Sequence, residues 1–146
     1  MRKLPDRMQN KLYKDHFLPD ETKKIRKKIR NFAEKEIFPI AYEFGQKRES
    51  NDNFPFDIFQ KMANEGFFKI PHSKTDSGLG LEYPACASAV MAEELAYISN
   101  SMAGLINAHF LLAGITLSHG NADIKRRFLE KVIDGSAVAS FAMTEP

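Results

Sequence analysis

Apolar residues recur at helical spacing along most of the chain. Ile25, Ile29, Phe32, Ala33, Ile37 and Ala41 follow one another at steps of four, three, one, four and four residues, which gathers them on one face of an α-helix. The run opens at Pro19-Asp20, where Asp20 is placed to cap the free N–H groups and Glu21 sits in the first turn. Lys24, Arg26, Lys27, Lys28, Arg30 and Lys35 fall on the opposite side and read as a solvated outer face. Pro39 breaks or kinks this helix near Phe38, because proline has no N–H and its ring crowds the preceding turn. A short second helix starts at Pro55, turns Ile58, Phe59, Met62 and Ala63 inward, and stops at Gly66.

The third helix is expected from Pro84 to Tyr97, the fourth from about Ser101 to His119. Ala103, Gly104, Asn107, Ala108, Leu111, Leu112, Gly114 and Ile115 cover nearly the whole circumference of the fourth. That pattern predicts a central, buried helix. Asn121 caps a fifth, with Ile124, Phe128, Leu129, Val132 and Ile133 inside and Gly135 at its end. The helical period then stops. Ala137 to Met143 reads as a buried strand, and one strand makes no sheet. The reading is therefore all-α: an arm over 1–18, an up-and-down helical domain over 19–136, and over 137–146 the first strand of a β-domain that lies elsewhere. On that reading the 146 residues are part of a longer protein.

Composition changes this picture little. The apolar fraction of 43% is enough for a packed core. The single cysteine, Cys86, excludes an internal disulfide and sits among small residues as a buried apolar group would. No run approaches the roughly 18 to 20 consecutive apolar residues of a membrane span. The first residues lack the apolar stretch of a secretory signal, and the expected location is cytoplasmic. Charge is uneven: residues 1–48 hold 14 Lys+Arg against 7 Asp+Glu. No aromatic residues alternate with these cations as platforms for stacked bases would, so no nucleic-acid partner is expected. A helical interaction module with a basic face remains the non-enzymatic alternative.

Candidate chemistry is sparse. Gly78-Leu79-Gly80 signals close backbone approach or positive φ, and is not a phosphate loop. His16, His72, His109 and His119 are scattered, and no pair has the three- or four-residue spacing that holds one metal on a helix. Glu93-Glu94 could pair as acid and base. However, adjacent helical residues point about 100° apart, so one is expected to face in and one out, in structural roles.

Five segments in order resemble the acyl-CoA dehydrogenase family. They are Phe54-Pro55 through Glu65–Pro71, Ser77–Tyr83, Met91–Ala96 with its Glu93-Glu94-Leu95-Ala96, His119–Leu129, and the closing Phe141–Pro146 with its Thr144-Glu145-Pro146. Asp76-Ser77-Gly78 departs from the family's glycine pair, and Lys74-Thr75 from its acidic pair. The resemblance implies an N-terminal helical domain followed by a β-domain and a four-helix domain, assembled as a homo-tetramer around FAD. It implies oxidation of acyl-CoA to trans-2-enoyl-CoA, with electrons passed to an electron-transfer flavoprotein or similar acceptor. An acyl-CoA oxidase or a flavin monooxygenase on the same scaffold is the alternative within the family. Phe141, Met143 and Thr144 match positions against the flavin, and Ala103, Gly104, Asn107 and Leu111 match positions facing the acyl chain. No residue here matches the family's catalytic glutamate, so this chain alone is expected to be inactive and to bind little FAD.

Overall fold

The computed structural model describes residues 15–48, 50–140 and 142. Among the described residues six longer helical segments form one bundle, with short 3-10 turns in the loops between them. α1 runs over 20–37, as an α-helix Asp20–Phe32 that passes into a π-turn Ala33–Ile37. α2 is Ala41–Gln46, α3 is Phe56–Asn64 and α4 is Pro84–Ile98. α5 spans 100–118, with a π-turn at Ala108–Gly114 between Asn100–Asn107 and Ile115–Ser118. α6 spans 122–134, with a π-turn at Lys125–Leu129.

Local chemistry explains most ends. Pro39 divides α1 from α2, and in the turn before it Phe38 N–H reaches back to the Ala33 carbonyl at 2.8 Å, one residue further than an α-helix allows. α4 starts on Pro84, whose missing N–H costs nothing in a first turn. Ser99 Oγ accepts from Met102 N–H at the start of α5, and Asn121 Oδ1 from Ile124 N–H at the start of α6. Gly135 closes α6 at φ +77, and a Cβ there would meet Ala63 at 2.4 Å. Asp20 does not cap α1. It lies inside the first turn and pairs with Lys23 at 2.9 Å. Glu21 caps a different helix, accepting the N–H groups of Tyr83 and Glu82 at 2.7 and 3.3 Å just ahead of α4.

The core joins Ile29, Ala33 and Ile37 of α1 to Phe59 and Met62 of α3, Met91 and Leu95 of α4, and Met102, Ile106 and Phe110 of α5. Phe32 meets Phe67 edge-on at 5.1 Å. α5 is central on one side only. Met102, Ala103, Ile106, His109, Phe110 and Ala113 are buried, whereas Ser101, Gly104 and Ile115 are exposed. Its apolar circumference thus has a covered half and an open half. The helix Asn100–Ser118, 19 residues with mean hydropathy 1.4, is long and apolar enough to cross a membrane. Its full burial at Ile106, His109 and Phe110 marks it as a core helix of this bundle.

Lys24, Lys27, Lys28 and Lys35 are exposed, as expected of a solvated basic face, but two arginines correct that expectation. Arg26 is buried and Arg30 half-buried, because both turn toward α4. Glu94, with 0% of its side chain exposed, accepts from Arg26 Nη1 at 3.3 Å and from Arg30 Nε and Nη2 at 3.1 and 2.9 Å. Glu93, 41% exposed, takes Arg26 Nη2 at 2.6 Å. Asp15 lies 3.3 Å from Arg26 Nε, close enough for an ion pair but outside hydrogen-bonding alignment. The bidentate grip of Glu94 holds the Arg30 pKa above its ordinary value. The acidic pair is thus one residue in and one residue out, both in structural roles.

Of the strand expected over 137–146, residues 141 and 143–146 lie outside the described residues. Among the described residues no ladder forms, and 138–140 continue without regular structure from the end of α6. A strand gains its hydrogen bonds from a neighbour, and none of the described residues supplies one.

Removing one partner of a buried ion pair leaves the other charge uncompensated. Glu94→Ala is therefore expected to cost about 3–5 kcal/mol. Glu93→Ala, at the solvent rim, is expected to cost about 1 kcal/mol or less. Urea unfolding of the two variants measures the difference.

Candidate functional site

The π-turn of α5 brings two buried histidines together from different elements. A π-turn adds a residue to one helical turn, shifts side chains out of the 3.6 phase, and is frequent at functional sites. Here His109, on α5, points into the bundle between Phe59 and Phe68, with ring centroids 4.7 and 4.5 Å away. Its two nitrogens are both used. Nε2 lies 3.0 Å from the Val132 carbonyl, and Nδ1 lies 3.0 Å from the Ala139 N–H. A backbone N–H only donates and a carbonyl only accepts, so the ring is neutral with its proton on Nε2. Burial pushes its pKa down to about 4, against a smaller upward pull from Val132 and with His72 adding to the fall.

His72 reaches the same turn from the loop after α3. It is buried, and burial lowers its pKa against the opposing charge of Asp76. Its Nε2 would lie 3.2 Å from a Cβ at Gly114, so a larger residue there would push the ring back by a few tenths of an ångström. That nitrogen has no hydrogen-bond partner among the described residues. The loop is wound tightly around His72. Gly80 N–H donates to its carbonyl at 3.0 Å, and a Cβ on Gly78 would strike that oxygen at 2.2 Å. This close approach, with φ +59 at Gly80, is what Gly78-Leu79-Gly80 provides. Lys125 Nζ holds Asp76 at 2.9 Å and ties the loop to α6.

The open half of α5 is the other notable surface. A Cβ on Gly104 would find nothing within 4 Å. Leu111 is partly buried against the core, Asn107 is half-buried with its Oδ1 unpartnered among the described residues, and Ala103 is buried in the core. Of the four residues matched to the acyl chain, Gly104 stands on the open face, Asn107 and Leu111 form its shoulder, and Ala103 packs inward. Beside that face runs a groove of about 740 Å³, lined by Ser101 and Leu105 of α5, the segment around α2 and its following loop, and Val138. Phe44, Phe54 and Phe56 give it apolar walls, and Lys47 and Arg48 a cationic rim. Hydrocarbon surface of this kind can hold an apolar chain by burial alone. The three residues matched to flavin contacts, Phe141, Met143 and Thr144, lie outside the described residues. Among the described residues no three of His, Cys, Asp and Glu converge as metal ligands would.

Neither histidine was singled out by spacing, because their neighbours come from α3, α6 and the 71–81 loop. The groove was missed for the same reason.

Known proteins place this architecture. Residues 19–136 match the family described as acyl-CoA dehydrogenase, N-terminal domain, and the chain belongs to that family. It is 31% identical over 133 residues to the short-chain specific acyl-CoA dehydrogenase of Clostridium acetobutylicum, covering 90% of this chain and 34% of that protein. It is 32% identical over 131 residues to the caffeyl-CoA reductase-Etf complex subunit CarC of Acetobacterium woodii, covering 89% and 33%. The crystal structure of an acyl-CoA dehydrogenase from Geobacillus kaustophilus superposes with a TM-score of 0.74 at 27% identity, over 90% of this chain and 33% of that one. The chain thus spans about a third of the length of these relatives.

The unfolded chain protonates a histidine near pH 6.5, whereas folded His109 resists to about 4. Protons therefore favour the unfolded state across that window. Stability is expected to be full above about pH 6.5 and to fall by up to roughly 3 kcal/mol as pH drops to about 4. His72 acts in the same direction. Urea unfolding at pH 4.5 and 7.5 in wild type and His109→Phe isolates the His109 share, which the variant is expected to lose.

Proposed function

We propose that this chain is the helical domain that walls the acyl pocket of a flavin-dependent acyl-CoA dehydrogenase, an enzyme that oxidises acyl-CoA to trans-2-enoyl-CoA. The observation that carries the proposal is the open, small-residue half of α5, with Gly104 facing free space beside a groove of about 740 Å³. An extended acyl chain needs an apolar surface without projecting side chains, and burying it there releases water at about 0.8 kcal/mol per methylene. Gly104, Asn107 and Leu111 are the proposed contacts, with Ala103 supporting them from the core side. FAD, held in part by Phe141, Met143 and Thr144, supplies the redox chemistry when bound. The chain's own residues supply shape and exclude water. The β-domain, the catalytic base and the homo-tetramer belong, on this proposal, to sequence beyond these 146 residues.

The partner that takes the electrons is proposed to be an electron-transfer flavoprotein, in line with the Etf complex named for the Acetobacterium relative. The same relative is a reductase, which favours a second reading in which the enzyme works toward reduction of a 2-enoyl-CoA. The non-enzymatic alternative loses ground, because Arg26 and Arg30 are consumed by Glu94 and Glu93 and leave fewer cations for a binding face.

Two preparations test the proposal: the 146-residue chain, and the protein expressed with the coding sequence downstream of Pro146. The first is expected to purify colourless from FAD and to leave acyl-CoA unchanged. The second is expected to carry a flavin band that bleaches anaerobically with acyl-CoA. A colourless second preparation sinks the enzyme reading, and an active first one sinks the division of labour. Bleaching by reduced acceptor followed by return of the flavin band on adding enoyl-CoA, faster than bleaching by acyl-CoA, selects the reductase direction.

Gly104 gives a further expectation. Gly104→Ala removes a helix-interior glycine without a clash and is expected to stabilise the fold by about 0.5–1 kcal/mol. Gly104→Phe is expected to fold and to shorten the acyl chain accepted, read as kcat/KM across a chain-length series.

A further inference from the structure

The groove between α2 and α5 carries cations and, among the described residues that line it, no Asp or Glu. Its volume of about 740 Å³ lies within the roughly 300–1,000 Å³ of small-molecule sites. Its walls are anchored. Phe44, Phe54 and Leu105 pack against the core, and Phe54 meets Phe59 edge-on at 5.6 Å and Phe56 at 4.5 Å. Phe56 is nonetheless 56% exposed, so the lining is apolar and open to water. At Lys47 the backbone leaves α2 in extended form, with φ −70 and ψ 142. Asn53 Nδ2 then holds the Arg48 carbonyl at 2.7 Å and fixes the backbone that carries both cations along the rim. Neither cation has an ion-pair partner among the described residues. Glu43, Asp52 and Asp57 line the adjacent cleft, which shares Lys47 with the groove but not Arg48.

We propose that this groove binds an unesterified fatty acid, with the carboxylate on Arg48, assisted by Lys47, and the chain along Phe44, Phe54, Phe56 and Leu105. Hydrocarbon taken out of water supplies the affinity. The planar guanidinium can take a carboxylate through two parallel hydrogen bonds and so selects the head group. A second copy of this chain suits the groove less well, because a twofold contact there would set Lys47 and Arg48 against their own counterparts. The site is separate from the face assigned above to the acyl chain of a thioester, since Gly104, Asn107 and Leu111 do not line it. It therefore stands or falls apart from the enzyme reading.

Calorimetric titration of the 146-residue chain, without flavin or CoA, compares three probes of one chain length: decanoate, decanol and decyltrimethylammonium. At low salt decanoate is expected to bind about five- to tenfold more tightly than decanol, and decyltrimethylammonium more weakly than either. The gap between decanoate and decanol is expected to close at about 0.5 M salt, where exposed charges are screened. Arg48 is exposed, and Arg48→Glu is expected to abolish the gap while leaving decanol affinity within about twofold. Phe56→Ser is expected to weaken both ligands together, by about tenfold. Equal binding of decanoate and decanol by wild type overturns the proposal, as does a decanoate affinity unchanged in Arg48→Glu. So does binding of neither ligand at about 1 mM, or a dimer in sedimentation that decanoate leaves intact and that Phe56→Ser dissociates. If Arg48→Glu does not fold, Arg48→Gln decides by the same loss of the gap.

Discussion

The fold depends on how a buried carboxylate is neutralised. Glu94 sits on α4 with no exposed surface, and it is tolerable only because Arg26 and Arg30, one helical turn apart on α1, close on it together. That requirement sets the register of α1 on α4 more sharply than apolar packing does, since hydrocarbon faces slide at modest cost whereas a guanidinium fork does not. With the register set, Glu21 falls beside the backbone N–H groups of Glu82 and Tyr83 and caps the start of the helix that carries Glu94. The two helices thus fix each other at two levels, and Ile29, Ala33, Met91 and Leu95 fill the space between them.

From that pair the structure works outward to α5. Its buried half completes the core through Met102, Ile106 and Phe110, and its other half stays open. A bundle that left so much small-residue surface uncovered without use would be poorly designed against association. Residues 19–136 match the N-terminal domain of the family to which the chain belongs, and the chain spans about a third of the length of its relatives.

Helix positions were largely legible in the sequence, because their signals are local. Pro84 at a first turn, Asn121 as a cap, Gly66 and Gly135 in the left-handed region, and the break at Pro39 each act within a few residues. Asp20 misled for a local reason too, since Lys23 one turn away competes for its carboxylate. What failed was non-local. Arg26 and Arg30 look like any exposed cations until Glu94, more than sixty residues on, is brought against them. His109 carried no motif. Its role arises from Phe59, Phe68, Val132 and Ala139, which meet only in the folded bundle.

The π-turn over Ala108–Gly114 also sets where α5 can change length. An ordinary helix tolerates a change of residue at most exposed points, but this one contains a built-in phase shift. A π-turn takes in an extra residue within a wider turn, so a one-residue deletion there can be absorbed by narrowing toward the 3.6 period, with Ile115–Ser118 left near its place. The same deletion within Asn100–Asn107 would swing everything after it by about 100°. In lineages sharing this bundle, the residue count over Ala108–Gly114 should therefore vary more readily than the count over Asn100–Asn107.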